Sequence, residues 1–271
     1  MFHVKFPAVN DCSSQFTFTA KSEKEEISIS LLFGDVYLAM GQSNMSYSLA
    51  ATEEYEDWLK RGETVKAAVL SLNERPYKDP AEVTRPIYPL EDFVMEYDWI
   101  YSSKKEIENV SAISAQTAIL LSETEKVPVG VVHTAMGGLS VESYMRRELV
   151  EEDEELKNFL NGVGRYQSIQ DYNTIGGRNY TQLAGVWNEK IAPLVGMKFK
   201  GFIWYLGESS AWDFEFGVYF LRQMRSIVKD YRNAFGNIPF IAVAITPENY
   251  IYGDTYGYHY INEALIKLQE E

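Results

Sequence analysis

The sequence predicts an α/β fold in which a parallel sheet is covered by helices on both faces. Three observations predict it. Apolar runs of strand length alternate with longer segments whose apolar residues recur at helical spacing. A run such as DVYLAM (Asp35–Met40) is apolar at successive positions, which suits a strand buried on both faces. Three of these runs end in glycine, serine and other polar residues, as GQSNM, HTAMGGLS and LGESSAW. In open parallel sheets, sites form at the carboxyl ends of strands.

The elements follow in order. Residues 4–33 alternate and contain FTFTA and EISISLLF, the pattern of short antiparallel strands leading into the main sheet. Residues 1–33 are therefore assigned to an N-terminal β segment packed on a main domain of 34–271. DVYLAM is the first buried strand, and 41–60 turns into a helix. VKAAVLSL (65–72) is a further strand. Residues 73–109, with Pro76, Pro80, Pro86 and Pro89, are polar and form a long insertion. A helix follows at 111–126, with Ala112, Ala115, Ile119 and Leu120 on one face. VPVGVVHTAMGG (127–138) is a strand that ends in paired glycines. A second insertion spans 148–180. LAGVWNEKIAPLV (183–195) is a helix stopped near Pro193. FKGFIWYLGESSAW (199–212) is a strand and a loop. Phe220, Met224, Ile227, Val228 and Tyr231 mark one helical face, which Gly236 ends. IPFIAVAIT (238–246) is the next strand, and Ile261, Ala264, Leu265 and Leu268 mark the last helix.

Composition narrows the function. Lys and Arg number 25 against 39 Asp and Glu, a net charge of −14, which argues against nucleic acid as a partner. Part of the excess lies in ELVEEDEELKNF (148–159), read as a solvated helix face. Cys12 is the one cysteine, so neither a disulfide within the chain nor a cysteine-based metal site is expected. No apolar run reaches the length that crosses a bilayer, and residues 1–14 lack a signal-like apolar core. A cytoplasmic setting with no membrane partner is the expectation. The 19 tyrosines suit sugar stacking as well as ordinary cores.

The three polar strand ends together supply the parts of an acyl-transfer site. Ser43, between Gln42 and Asn44, is the candidate nucleophile. Backbone N–H groups near Ser43 and Gly137/Gly138 face a developing oxyanion, since glycine allows close approach. Ser210 adds a hydroxyl, and a base is still needed. Each fragment alone has an ordinary reading as a turn or a cap.

GDVYLAMGQSNM resembles the first block of the SGNH-hydrolase superfamily, and more closely the sialate O-acetylesterases and acetylxylan-esterase-like proteins. The likeness continues in order through VPVGVVHTAMGGLSVESYM, WNEKIAPL, KGFIWYLGESSAW and YFLRQMRSIVKDYRNAFGNIPFIAVAI. It implies a three-layer α/β/α sandwich with a flavodoxin-like parallel sheet. It also implies removal of O-acetyl groups from a carbohydrate through a serine acyl-enzyme, without metal or other cofactor. Ser43 matches the nucleophile, Gly137 and Gly138 the oxyanion block, and Gln42, Ser210 and Glu208 the oxyanion or substrate-binding surroundings. Glu208 is read first as a carboxylate that anchors loops and second as part of the site.

The sequence departs from the family at two places. Leu206 stands where the family has Gln and Ser210 where it has Asn; loss of one oxyanion donor costs about 10²–10³ in rate in a well-studied protease. The family's Asp-x-x-His lies beyond a helix resembling YHYINEALIKLQEE, and no Asp-x-x-His occurs up to Glu271. The base candidates are His259, with Asp254 five residues earlier, and the strand residue His133. Two readings follow: a carbohydrate O-acetylesterase, or an impaired family member that binds glycans.

Overall fold

A computed structural model of the chain describes residue 12 and residues 15–72, 87–93, 95–172, 182–246 and 256–271. His3 and Asp254 lie outside these residues.

Six strands form the main sheet: β3 (Asp35–Gly41), β4 (Ala67–Ser71), β5 (Trp99–Tyr101), β6 (Val129–His133), β7 (Gly201–Tyr205) and β8 (Phe240–Ala242). Their spatial order is β5-β4-β6-β3-β7-β8. All neighbours are parallel except β5, which pairs antiparallel with β4 at one edge. Leu38, Ala39 and Met40 are all fully buried, which is why the run in β3 is apolar without alternation. Ala39 joins the layer formed by α3 (Ala112–Glu125) and Met45; Leu38 and Met40 join the layer on the other face, which holds α7 (Phe214–Phe235) and α8 (Tyr256–Gln269).

The layers are those of the expected α/β/α sandwich. The order of the five parallel strands, numbered along the chain, is 2-3-1-4-5. The third strand, β6, lies between the first and second, where flavodoxin has 2-1-3-4-5. This order has a functional consequence. The three strands with polar ends, β6, β3 and β7, are adjacent, with β3 in the middle.

Several elements differ from their expectation. Residues 41–60 divide into α1 (Ser43–Ser46), a turn at Leu49–Ala51 and α2 (Tyr55–Gly62). On α3 the small residues Ala112, Ala115 and Ala118 pack inward with Ile119, while Leu120 is 48% exposed, so the buried stripe is narrower than the apolar spacing suggested. The first insertion contributes the edge strand β5. The second contains α4 (Arg147–Glu151), α5 (Glu154–Gly162) and α6 (Ile169–Tyr172). Its acids are more than a solvated face: Asp153 and Glu155 both bind Arg222 of α7, at 2.6 Å and 2.5 Å. Trp187–Ile191 is a π-helical turn ahead of Pro193. The α7 face is buried as expected and ends at Gly236, φ +107°.

Residues before β3 form an antiparallel ribbon, β1 (Gln15–Lys21) with β2 (Glu26–Leu32), which is a separate two-stranded sheet. Its last residues, Ser30–Leu32, line a cavity of about 180 Å³ with Trp99 and Pro128, at the amino ends of the main strands.

Candidate active site

The site is built where β3 gives way to α1. Gly41 ends the strand, and a Cβ there would collide with the Tyr205 carbonyl and lie 2.7 Å from Met45 Cβ. Only glycine lets the strand end pass so close to β7. Gln42 turns the chain, its N–H donating to the Tyr205 carbonyl at 3.1 Å. Ser43 then opens α1 with its side chain exposed. Among the described residues nothing hydrogen-bonds to the Ser43 hydroxyl, while its neighbours are fixed on every side.

Those fixings come from β7's loop and from α3. The Gln42 side-chain oxygen accepts from the Ser209 N–H at 3.3 Å and the Ser209 hydroxyl at 2.8 Å. Asn44 donates to Glu208 Oε1 at 2.5 Å, and the Gly207 N–H donates to Glu208 Oε2 at 3.1 Å. Glu208 thus ties the ends of β3 and β7 together, as a carboxylate that anchors loops. The Ser111 hydroxyl donates to the Met45 carbonyl at 2.6 Å and caps α3 by accepting from the Ser114 N–H at 3.1 Å.

The end of β6 supplies the other wall. A Cβ on Gly137 would lie 3.9 Å from Ser43 Cβ, so this glycine backbone sits directly beside the serine. Gly138 follows at φ +79° with open space around it, a conformation that suits glycine. Sequence reasoning missed Tyr144, which holds this wall to the strand end. It is fully buried; its hydroxyl accepts from the Gly41 N–H at 3.0 Å and lies 3.0 Å and 3.3 Å from the Gly41 and Thr134 carbonyls. Burial pushes its pKa up, so the phenol stays protonated. Tyr144 lies 103 residues from Gly41, and no spacing rule points to it.

Ser210 is 2% exposed, and its hydroxyl is without a partner among the described residues. Leu206 is fully buried in the main core. Its position is a packing position in this chain, which accounts for an apolar residue there. Arg165, also missed, donates to the Ser209 carbonyl and faces the buried Glu142 at 3.6 Å.

The two histidines differ. His133 is 1% exposed, with Nδ1 3.0 Å from the Ser114 hydroxyl. Burial, and then the nearby Lys190 charge, lower its pKa to about 3, so it is neutral at pH 7 and belongs to the β6–α3 packing. His259 is exposed near the start of α8, its ring 5.3 Å from that of Tyr260. Gly257, two residues earlier, abuts the Ala211 carbonyl, which brings the start of this helix against the β7 loop. No hydrogen bond joins His259 to Ser43 among the described residues. Also among these residues, no three His, Cys, Asp or Glu side chains gather as a metal site.

Comparison with known proteins gives the family and supports the fold. Residues 33–264 match the family model of carbohydrate esterases described as sialic acid-specific acetylesterase. The chain is 28% identical over 213 residues to the sialate O-acetylesterase of Homo sapiens, covering 72% of this chain and 36% of that protein. It is 26% identical over 231 residues to that of Mus musculus, covering 76% and 40%. The chain thus spans well under half the length of these relatives. Among solved structures, a carbohydrate acetylesterase from Xanthomonas citri superposes with a TM-score of 0.71 at 18% identity, over 94% of this chain and 52% of the other, which supports the fold. With a family match that runs from the start of β3 into α8 and takes in all three polar strand ends, the chain belongs to the sialic acid-specific acetylesterase family of carbohydrate esterases.

Proposed function

We propose that this chain hydrolyses O-acetyl esters of carbohydrates, with Ser43 as the nucleophile. The observation that carries the proposal is the placement of an exposed serine hydroxyl, unbonded among the described residues, beside the Gly137 backbone, on a strand end braced by the β7 loop and by residues that follow β6. Ser43 Oγ attacks the acetyl carbonyl and gives up its proton as the C–O bond forms. The oxygen of the tetrahedral intermediate is met by the Ser43 backbone N–H and by the Gly137–Gly138 wall, since the Gly41 and Gln42 N–H groups are already bonded to Tyr144 and Tyr205. Collapse expels the sugar hydroxyl, which takes a proton, and leaves an acetyl-serine. Water then releases acetate by the same steps in reverse. His259 is the proposed proton acceptor: it is the exposed histidine on the helix that meets the β7 loop.

Acetate release is measured from ethyl acetate, an O-acetylated sialic acid and an O-acetylated methyl xyloside. Ser43→Ala is expected to lose at least about 10³-fold in kcat, the scale at which removing a serine nucleophile operates. Equal rates for Ser43→Ala and the unaltered chain would sink the assignment. A second reading, a glycan-binding member without turnover, is favoured by the lack, among the described residues, of a histidine hydrogen-bonded to Ser43, and by Leu206 packed in the core. It predicts saturable sugar binding with acetate release no faster than in buffer.

A further inference from the structure

We infer that Trp212 is the sugar-facing platform of this site, stacking its indole on the C–H face of the pyranose ring that carries the acetyl group. The inference rests on the esterase reading above and adds how the sugar is recognised. Trp212 is 67% exposed, yet its indole is tethered: Nε1 donates to the Ser209 carbonyl at 3.1 Å. The polar edge of the ring is satisfied within the protein, so what remains toward solvent is its carbon face. A large aromatic face kept in water is unfavourable unless something covers it.

The tether leads straight to the nucleophile. The Ser209 carbonyl that holds Trp212 is also bound by Arg165, and the Ser209 N–H and hydroxyl hold Gln42, the residue before Ser43. Behind the loop, a Cβ on Gly257 would lie 2.7 Å from the Trp212 backbone nitrogen, so the start of α8 leaves the loop no room to retreat. A ring fixed before the ligand arrives loses little freedom on binding, which favours affinity. The ligand class is a pyranoside whose axial C–H bonds leave one ring face free to stack, set with its acetyl group toward Ser43.

The test compares Trp212→Ala and Trp212→Phe with the unaltered chain on O-acetylated methyl xyloside and on ethyl acetate, which has no ring to stack. Trp212→Ala is expected to lower the ratio of kcat/KM on the sugar ester to that on ethyl acetate by about 3- to 10-fold, carried by KM, and Trp212→Phe to recover most of it. An unchanged ratio overturns the platform. Binding of the same acetylated xyloside is also read by saturation-transfer NMR in a Ser43→Ala background, where hydrolysis plays no part. If adding Trp212→Ala abolishes saturation transfer to the sugar's ring protons, the platform is supported whether or not the chain turns over. Binding indifferent to Trp212 overturns it.

Discussion

Replacing Tyr144 by phenylalanine removes one oxygen and tests how the nucleophile turn is held. The hydroxyl is fully buried, receives the Gly41 N–H at 3.0 Å and has the Gly41 and Thr134 carbonyls at 3.0 Å and 3.3 Å. A hydroxyl has one proton, so it satisfies one of these carbonyls at a time. Phenylalanine leaves the Gly41 N–H orphaned in a dry interior, which costs about 1–3 kcal/mol, and removes one donated bond worth about 1 kcal/mol. The ring itself is retained, including its edge contact with Trp204 at 5.2 Å between centroids. The expected loss is therefore about 2–4 kcal/mol, read as a lower urea midpoint with an unchanged slope. Because Gly41 lies two residues before Ser43, kcat on ethyl acetate should also fall, while KM moves less. A variant within about 0.5 kcal/mol of the unaltered chain, the usual range for an inconsequential change, would refute the claim that this phenol secures the turn.

Two further changes separate chemistry from packing. Ser210→Ala removes a buried hydroxyl that has no partner among the described residues. Stability should hold or rise in urea titration, because no bond is lost, whereas kcat should fall about 10²-fold if the hydroxyl reaches the oxyanion; an unchanged kcat removes Ser210 from the site. His133 gives a pH signature. Its folded pKa, about 3, lies below the ordinary 6.5, so the stability tied to its neutral form is present above 6.5 and is lost as pH falls toward 3. Between pH 7 and pH 5 the loss is about 2 kcal/mol from this group alone. His133→Asn should flatten that part of the urea-midpoint profile; an equally steep profile would show that other groups set it.

The sequence exposed the strand ends and concealed what braces them, for physical reasons. A run such as Val36–Met40 is legible because parallel strands are buried on both faces, and the glycines at 41 and 138 are legible because close approach at the first and φ at the second demand them. β5 is hidden because three residues at a sheet edge, Trp99–Tyr101, carry no period inside a polar stretch. Leu120 departs from its expected burial because the inner face of α3 is made of alanine and serine, which leave little apolar contrast. Tyr144 and Arg165 are invisible as site residues: the first bonds across 103 residues and the second across 44, and such pairings belong to the fold and not to any local pattern.

The distribution of hydrogen bonds around α1 bears on what Ser43 is for. Gly41 is held by Tyr144, Gln42 by Ser209 and Tyr205, Asn44 by Glu208, and Met45 by Ser111. Each neighbour is committed, and among the described residues the serine hydroxyl is left uncommitted between them. A turn serving only to connect β3 to α1 would gain by using that hydroxyl as a cap, since serine at such a position ordinarily bonds to nearby backbone. Leaving it exposed while the surroundings are over-determined is the arrangement expected where a reacting group must be positioned without being occupied. The same reasoning separates the two histidines. His133 is already bound to Ser114 and kept neutral by burial, so it has no freedom to exchange a proton with Ser43. His259, by contrast, is exposed on the helix packed against the β7 loop, which is why it is the proposed proton acceptor.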